Sequence, residues 1–453
     1  MTHNRRSILA AGIGFSTAAG VAHAAEQSPL REAFREIAHD IVQGLEANTD
    51  RDQTAVVQAA IDAAAKRDRP VVLPSGTFVV NDVRLRSGTK LIGVARTTTL
   101  KFGGGPAFIT ADKASGITLQ GLTLDGAYKT FDESRGEGLV TLSRCTGLML
   151  DDLNVRNSAK CGVSLIACSG RVTGTSISSV LDAGIKSLDA TGLDISGNTV
   201  SACGNNGILV WRSEKGEDGT IVSGNRISKI RNAAGGTGEF GNGINVFRAA
   251  SVLVTANRIS DCAYTAIRGN AASNIQITSN SCERLGEVAI YSEFGFEGAL
   301  IANNLIDFAA TGISVTNFNE GGRLAVIQGN LIRNLFRREH EKEDKRGEGI
   351  GVEADAVVTG NTIEGAPTVG IQVGWGPFLR DVSVTGNVVR KSRVGISISS
   401  APEAGICLIA NNLISESTDG AIRAMALGAP FGPDLAREPG ASGRVTLSGN
   451  VAV

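Results

Sequence analysis

A short pattern of small, apolar and polar residues recurs along most of this chain. In each copy a Gly or Ala precedes a β-branched residue, and polar and apolar positions then alternate, as in Gly243-Ile-Asn-Val and Gly312-Ile-Ser-Val. Alternation with a period of two indicates a β-strand with one buried face. We call these copies rungs and number them from Gly138; later rungs begin at Gly162, Gly184, Gly207, Gly243, Ala266, Ala289, Gly312, Gly349, Gly370, Gly395 and Ala421.

A second element, an Asn flanked by apolar positions and often preceded by Gly, comes before most rungs. It usually lies nine residues before the next rung, and its members are Asn198, Asn225, Asn257, Asn280, Asn304, Asn330, Asn361, Asn387, Asn412 and Asn450. The two elements define a repeat of about 23 to 26 residues, which is too short for a helix pair and fits a solenoid of stacked β-coils. An all-β domain over residues 70–453 is therefore predicted.

Stacking of the coils predicts two kinds of column. The apolar residue after each small rung residue, for example Ile244 above Ile267, should form a buried aliphatic column. The Asn side chains should hydrogen bond from one coil to the next, with each Asn in a left-handed bend. We expect this Asn ladder to be structural.

The first residues predict an export signal. Arg5 and Arg6 precede an apolar stretch that ends at the small residues Ala22 and Ala24, which is the pattern of a twin-arginine signal peptide over residues 1–24. We expect export to the periplasm or the extracellular space. No later apolar run approaches about 18 residues, so no transmembrane segment is expected.

Residues 25–69 predict an α-helical cap on one end of the solenoid. Helical spacing relates Leu30, Phe34, Ile37, Ile41, Val42 and Leu45. A second helix is predicted from Asp52 to Lys66, where Asp50 or Asp52 can cap the first turn and Val57 and Ile61 lie in the buried stripe.

The run Asp52-Gln-Thr-Ala-Val-Val-Gln-Ala-Ala-Ile, followed by Val72-Leu-Pro-Ser-Gly-Thr-Phe, resembles the opening segment of pectin-lyase-like right-handed parallel β-helices. The signal and the Asn repeats also resemble a twin-arginine-translocated repeat family of unassigned function. These resemblances imply a single-stranded right-handed parallel β-helix of about 12 to 13 coils. Members of the superfamily include lyases, hydrolases, epimerases and non-catalytic adhesins, so the activity stays open.

The charge balance bears on possible binding partners, and the cysteine positions bear on possible disulfides. Lys and Arg total 44 against 45 Asp and Glu, a balance that gives no reason to expect a nucleic-acid partner. Cys203 and Cys262 fall in one inward column two coils apart, about 9.6 Å, which is beyond disulfide range. We expect buried thiols and a monomeric protein.

Loops of irregular length predict where a site lies. Residues 211–219 and 228–242 flank rungs four and five, whereas residues 316–322 and 333–348 flank rungs eight and nine. We expect the loops to form two walls around a bare floor at rungs six and seven. Strand alternation predicts that Asn245, Phe247, Arg268, Asn270, Tyr291 and Glu293 face this groove.

Three of these residues suggest chemistry on a uronate-containing polysaccharide. Arg268 could stabilise an enolate-like intermediate while Tyr291 or Arg268 exchanges protons and Glu293 assists, as β-elimination or C5 epimerisation requires. The alternative is that Arg268 and Glu293 form a surface salt bridge worth under about 1 kcal/mol.

Further residues complete the predicted glycan-binding set. Trp211, Arg212 and Arg248 could stack on sugars and hold acidic groups, and Asn317 and Glu353 lie near the second wall. Two other functions stay open. Glycoside hydrolysis would need a carboxylate pair such as Glu293 and Glu353, and a non-catalytic envelope or matrix-binding protein would need none. No clustered aspartates or ladder histidines occur, so neither a metal nor a cofactor is expected.

Overall fold

The computed structural model describes residues 41–132, 134–236, 238–338, 346–438 and 443–453. These residues wind into a parallel β-solenoid of about 15 turns, each contributing one strand to each of three sheets. Sheet 1 contains Thr49–Asp52, Gly76–Val80, Thr98–Phe102, Thr123–Asp125, Asn154–Ser158, Ser176–Val180, Thr199–Cys203, Arg226–Ile230, Arg258–Cys262, Ser281–Leu285, Leu305–Asp307, Leu331–Arg333, Thr362–Glu364, Val388–Arg390, Leu413–Ser415 and Val451–Ala452.

Sheet 2 carries the rungs. Its strands are Val83–Arg84, Ile109–Asp112, Gly138–Ser143, Cys161–Ile166, Ala183–Leu188, Asn206–Glu217, Asn242–Ala250, Ile267–Asn270, Val288–Glu293, Thr311–Val315, Glu348–Val352, Val369–Val373, Val394–Ser399, Ile422–Ala426 and Ala429–Phe431. The last strand pairs antiparallel and ends the ladder.

Sheet 3 completes each turn. Its strands are Pro70–Val72, Lys90–Ile92, Thr118–Gln120, Leu148–Asp151, Gly170–Thr173, Leu193–Ser196, Ile221–Ser223, Leu253–Thr255, Ile275–Thr278, Glu297–Ala302, Arg323–Gln328, Ala354–Thr359, Arg380–Thr385, Cys407–Ala410 and Val445–Ser448. A short 3-10 helix, Phe318–Glu320, lies between sheets 2 and 3.

The predicted parallel β-helix is confirmed, with more coils than the 12 to 13 expected. The early turns were missed because they lack the rung signature. Their interior is filled by large rings, Phe78, Phe102 and Phe108, all fully buried. From rung one onward, aliphatic side chains fill most of the interior, and Phe296 is the one phenylalanine among the described residues that is fully buried there.

The second predicted helix is confirmed, and it is the only α-helix among the described residues. It runs from Thr54 to Ala65 and buries Val57 and Ile61 against the first coils, consistent with a cap. The N-cap residue is Gln53, whose side chain makes no capping bond, whereas Asp52, one residue earlier, accepts the Thr54 backbone N–H at 2.9 Å.

The first predicted helix is wrong where it can be checked. Residues 30–40 lie outside the described residues, as does the predicted signal over residues 1–24. Ile41, at the predicted helix's C-terminal end, instead forms a parallel bridge with Val72. Val42 and Leu45 pack against the core without helical structure.

The Asn ladder is confirmed. From Asn198 to Asn412, each side-chain amide donates to the amide oxygen of the next Asn at 2.9–3.0 Å. The left-handed residue, however, is the one before the Asn, for example Gly197 (φ 65°) and Ala256 (φ 55°). Glycine is frequent there because it adopts positive φ without steric cost.

The small rung residue is required by close packing. A Cβ on Gly312 would lie 2.4 Å from the carbonyl oxygen of Gly349 and 2.7 Å from Ile332. The next residue points inward, and Ile244, Ile267 and Ile290 stack in register and are fully buried. These contacts fix which rung residues face outward.

No helix among the described residues is both long and apolar enough to cross a lipid bilayer.

Candidate functional site

The outer face of sheet 2 holds a pocket of about 310 Å³ at rungs four to six. We call it the rung pocket. Three neighbouring strands and the loop before rung five line it with Trp211, Gly238, Glu239, Asn245, Phe247, Arg268 and Asn270. Four of these residues, Asn245, Phe247, Arg268 and Asn270, belong to the set predicted from strand alternation, and Trp211 was predicted as a sugar-stacking ring; Gly238 and Glu239 were not predicted.

Strand register places the outward residues of rungs five to seven in two vertical columns. Asn245 pairs with Arg268 and Arg268 with Tyr291, whereas Phe247 pairs with Asn270 and Asn270 with Glu293. Neighbouring strands lie about 4.8 Å apart, so each column presents one side chain per coil. The predicted vertical neighbours are therefore adjacent.

Two aromatic rings form the wall at rungs four and five. The Trp211 and Phe247 rings meet edge to face, with centroids 6.0 Å apart. Trp211 Nε1 donates to Asn245 Oδ1 at 3.4 Å, and the Arg248 guanidinium lies 4.8 Å from the Phe247 centroid. Both rings stay half-buried, so each keeps a surface open to the pocket.

The loop before rung five forms the opposite wall. The Glu239 carbonyl oxygen accepts from the side-chain amides of Asn206, Asn242 and Asn245 at 3.2–3.3 Å, and the Glu239 side chain remains exposed. A Cβ at Gly238 would lie 1.8 Å from Arg268 Nη1, so the loop approaches that closely only with glycine there. These three asparagines are buried and need a hydrogen-bond acceptor, but the sequence alone does not show that the Glu239 carbonyl provides it.

Arg268 and Glu293 form a buried ion pair. Arg268 Nε donates to Glu293 Oε1 at 2.6 Å and Nη2 lies 2.5 Å from the same oxygen, while Asn270 donates to it at 3.0 Å. Their side chains are 14% and 3% exposed, so this is not the surface bridge considered above. Burial raises the pKa of Glu293, and the charge of Arg268 only partly opposes that rise.

Tyr291 lies beneath Arg268 rather than in the pocket lining. The Arg268 guanidinium carbon is 5.3 Å from the Tyr291 ring centroid. Burial, reinforced by the charge of Glu293, raises the pKa of Tyr291 above its ordinary value. A tyrosine in this setting is a poor proton acceptor at neutral pH.

The predicted position of the groove needs a correction of about one coil. Rungs six and seven are not a bare floor, because Gly238 accepts from Arg268 Nη1 at 2.7 Å and Arg346 lies 3.0 Å from Glu287. Lys215 of the loop after rung four also donates to Gly295 O after rung seven. The open space therefore lies over rungs four to six.

Several predicted binding residues hold loops instead of lining the pocket. Arg212 donates to Ala190 O at 3.2 Å, and exposed Arg248 donates to Ser213 O at 2.7 Å. Asn317 accepts the Phe294 N–H at 3.3 Å. Glu353 accepts the Phe318 N–H at 2.7 Å and is itself buried.

Glu353 should make stability depend on pH. Burial raises its pKa above the ordinary 4.5, so its stabilising contribution is complete below about pH 4.5 and is lost as pH rises through the raised value. The Tm of Glu353→Gln minus the wild-type Tm should therefore increase from pH 4.5 to pH 7, measured by circular dichroism. Exposed Glu320→Gln on the same loop is the control and should show a flat difference; a flat difference for Glu353→Gln would contradict the assignment.

Among the described residues, no cluster of three or more His, Cys, Asp or Glu side chains has the arrangement of a metal site. The pocket offers amide groups, one guanidinium and one carboxylate, which suit hydrogen bonding to hydroxyl groups better than metal coordination.

The fold defines the protein as a right-handed parallel β-helix. The family described as "Right handed beta helix region" matches residues 213–389. This range includes four sheet 2 residues that line the rung pocket: Asn245, Phe247, Arg268 and Asn270. A search of curated proteins found no match.

Three solved structures resemble this chain at low sequence identity. Bacteriophage phi29 gene product 12 has a TM-score of 0.52 at 15% identity, covering 90% of this chain and 60% of its own. PfbA, a surface adhesin of Streptococcus pneumoniae, has a TM-score of 0.47 at 16% identity, covering 87% and 94%. A GH87 alpha-1,3-glucanase from Streptomyces thermodiastaticus has 0.45 at 14% identity, covering 91% and 68%. At 15% identity, the similarity to gene product 12 indicates a shared fold alone.

Proposed function

We propose that this protein binds a polysaccharide chain and that the rung pocket holds one of its sugar units. The observation that carries the proposal is the meeting of two aromatic rings, two side-chain amides and one guanidinium in a single concave space. Aromatic faces suit the apolar face of a sugar ring, and amide and guanidinium groups suit its hydroxyls. Export by the twin-arginine route would bring the pocket to envelope or extracellular glycans.

The charge of the pocket favours a neutral sugar over a uronate. Glu293 compensates the charge of Arg268 from behind, and Glu239 adds an exposed carboxylate on the open side. The arginine can still donate hydrogen bonds, but an anionic sugar would meet no net positive charge there. An acidic polymer is therefore the weaker ligand in this proposal.

The geometry supports binding better than elimination or epimerisation. Those reactions need a proton acceptor beside the sugar, yet Tyr291 has a raised pKa and Arg268 is held in an ion pair. Hydrolysis by Glu293 and Glu353 would need both carboxylates to reach a sugar, and both are buried. Among the described residues, Glu239 is the one carboxylate that lines the pocket. Glycoside hydrolysis needs two carboxyl groups, so Glu239 alone is not sufficient.

Binding should depend on Trp211. The chain has two tryptophans, and Trp375 lies outside the rung pocket, so Trp375→Ala is a matched control. In affinity electrophoresis against neutral glucans, alginate and polygalacturonate, Trp211→Ala should weaken binding at least about tenfold because interface tryptophans often dominate affinity. Trp375→Ala should bind as wild type does.

The same panel tests the ligand class and the reaction. Neutral polymers should bind at least as tightly as uronates, with little loss of affinity in added salt, and neither unsaturated products nor new reducing ends should accumulate. Equal binding by Trp211→Ala and wild type would remove the pocket from the proposal. Release of unsaturated or reducing products would replace binding with catalysis.

A further inference from the structure

Two cysteines occupy equivalent positions in successive coils, outside the rung pocket. Cys145 and Cys168 each follow a residue with positive φ, Arg144 and Ala167, at the turn from sheet 2 to sheet 3. The preceding strands pair Ser143 with Ile166, and the Ser169 N–H donates to Cys145 O at 3.0 Å. Continuing this register by two residues places Cys145 directly beside Cys168.

The pair lies in the interior, at neighbouring positions of adjacent coils. Both residues are at most 1% exposed, and Cys145 Sγ donates to Ser143 O at 3.2 Å. Cys168 Sγ also lies 3.3 Å from Leu142 O. Neighbouring parallel strands are about 4.8 Å apart, which is within the Cα separation that a disulfide tolerates.

The other inward cysteines lack this arrangement. Cys203 and Cys262 are separated by the coil that contains Ile230, since Ile230 pairs with Cys262. Cys282 pairs with Ile259 rather than with Cys262. Cys161 and Cys407 also have no cysteine as a strand partner, so disulfide formation is expected at one place in the described chain.

We infer that Cys145 and Cys168 form an inter-coil disulfide when transient local opening of these two coils lets an oxidising disulfide, such as oxidised glutathione or a disulfide oxidoreductase, reach the thiols. The Cys145 thiolate attacks a sulfur of the oxidant and releases one thiol. Cys168 loses its proton and displaces the second thiol from Cys145, forming the protein S–S bond. Two electrons and two protons thus pass from the cysteines to the oxidant.

Electrostatics assign the order of attack. The hydrogen bond from Cys168 lowers the pKa of Cys145 to about 7, whereas the pKa of Cys168 is raised. Cys145 is therefore the thiol that ionises first, and the thiolate is the reactive form.

The cross-link would join adjacent coils of a repeat structure. Each coil of a solenoid contacts only its neighbours, so unfolding can spread from one coil to the next. A covalent bond between the coils of rungs one and two restricts the unfolded chain and raises the barrier to separating these coils.

Thiol counting on the full-length protein tests the inference. The reduced protein should give seven reactive thiols in denaturant, and oxidised glutathione applied to the folded state should reduce that number to five. Mass spectrometry should show a loss of about 2 Da and a peptide linking Cys145 to Cys168. The oxidised protein should melt several degrees higher than the reduced one.

Variants separate this pair from other thiols. Cys145→Ala and Cys168→Ala should each keep six thiols after the same treatment, without the rise in Tm. Cys203→Ala should still lose two. Seven thiols in the oxidised wild type, or a cross-link between other cysteines, would overturn the inference whether or not either variant folds.

Discussion

Glu293→Ala should destabilise the protein by about 3–5 kcal/mol, because it leaves a buried guanidinium without its carboxylate. Arg268 would keep its bond to Gly238 O, but Nε and Nη2 would lose their acceptor in a site where the Arg268 side chain is only 14% exposed. Urea unfolding followed by circular dichroism measures the loss. Sugar binding should weaken as well, since the freed arginine no longer holds one position beside Asn270.

Two controls separate a buried pair from a surface one. Asp261→Ala removes one of the two carboxylate partners of exposed Arg284, the other being Glu283, and should cost less than about 1 kcal/mol. Replacing both members, as Arg268→Met with Glu293→Leu, should recover most of the stability, since neither charge then remains buried. A Glu293→Ala effect as small as that of Asp261→Ala would show that water reaches the pair and would weaken the charge argument for a neutral ligand.

Asn304→Ala should be comparably damaging, at about 3–5 kcal/mol. Asn304 Oδ1 accepts both the backbone and side-chain N–H groups of Asn280, and its own amide donates to Ile277 O and to Asn330 Oδ1. The substitution leaves several of these groups buried without partners, and each such group costs about 1–3 kcal/mol. The midpoint of urea unfolding should fall accordingly.

Asn450→Ala is the matched control for Asn304→Ala. Asn450 makes equivalent bonds to Asn412 and Ile409 but ends the ladder, where it is only half-buried. Water can replace the lost partners there, so we expect a loss of about 1 kcal/mol or less. Equal losses of unfolding free energy at both positions would show that burial does not strengthen the contribution of the Asn ladder.

The buried ion pair changes what the pocket can bind. From the sequence, Arg268 is an outward residue that could either meet a uronate carboxylate or pair with Glu293 at the surface. In the folded protein its charge is balanced by Glu293, and its orientation is fixed by Gly238 from the loop. Arg268 therefore lines the pocket as a hydrogen-bond donor whose charge is already balanced. This balance is the reason for preferring a neutral glycan.

Register could be predicted because it depends on local rules. Alternation along a strand determines which side of sheet 2 each residue faces, and the period determines which residues stack. Arg268 beside Tyr291, Asn270 beside Glu293, and the whole Asn ladder follow from those two rules and are present in the structure. The early coils were missed because their Phe-filled interior carries no repeat signature.

Positions in the loops could not be predicted in the same way. Residues 228–242 have no periodicity, so nothing in the sequence says that Gly238 reaches Arg268 or that Glu239 faces Trp211. Glu353 is predicted near the second wall as a possible carboxylate partner of Glu293, but it is buried and accepts the Phe318 N–H of the Phe318–Glu320 turn. The predicted site was therefore displaced by about one coil.

The sequence by itself determined the solenoid, its inward columns and the outward residues of each rung, because strand alternation and repeat period act over short distances along the chain. Only the tertiary structure decided which rungs stay open and which charges cancel. Those outcomes depend on how loops without a period fold over neighbouring coils, where burial converts Arg268 and Glu293 from exposed charges into an enclosed pair.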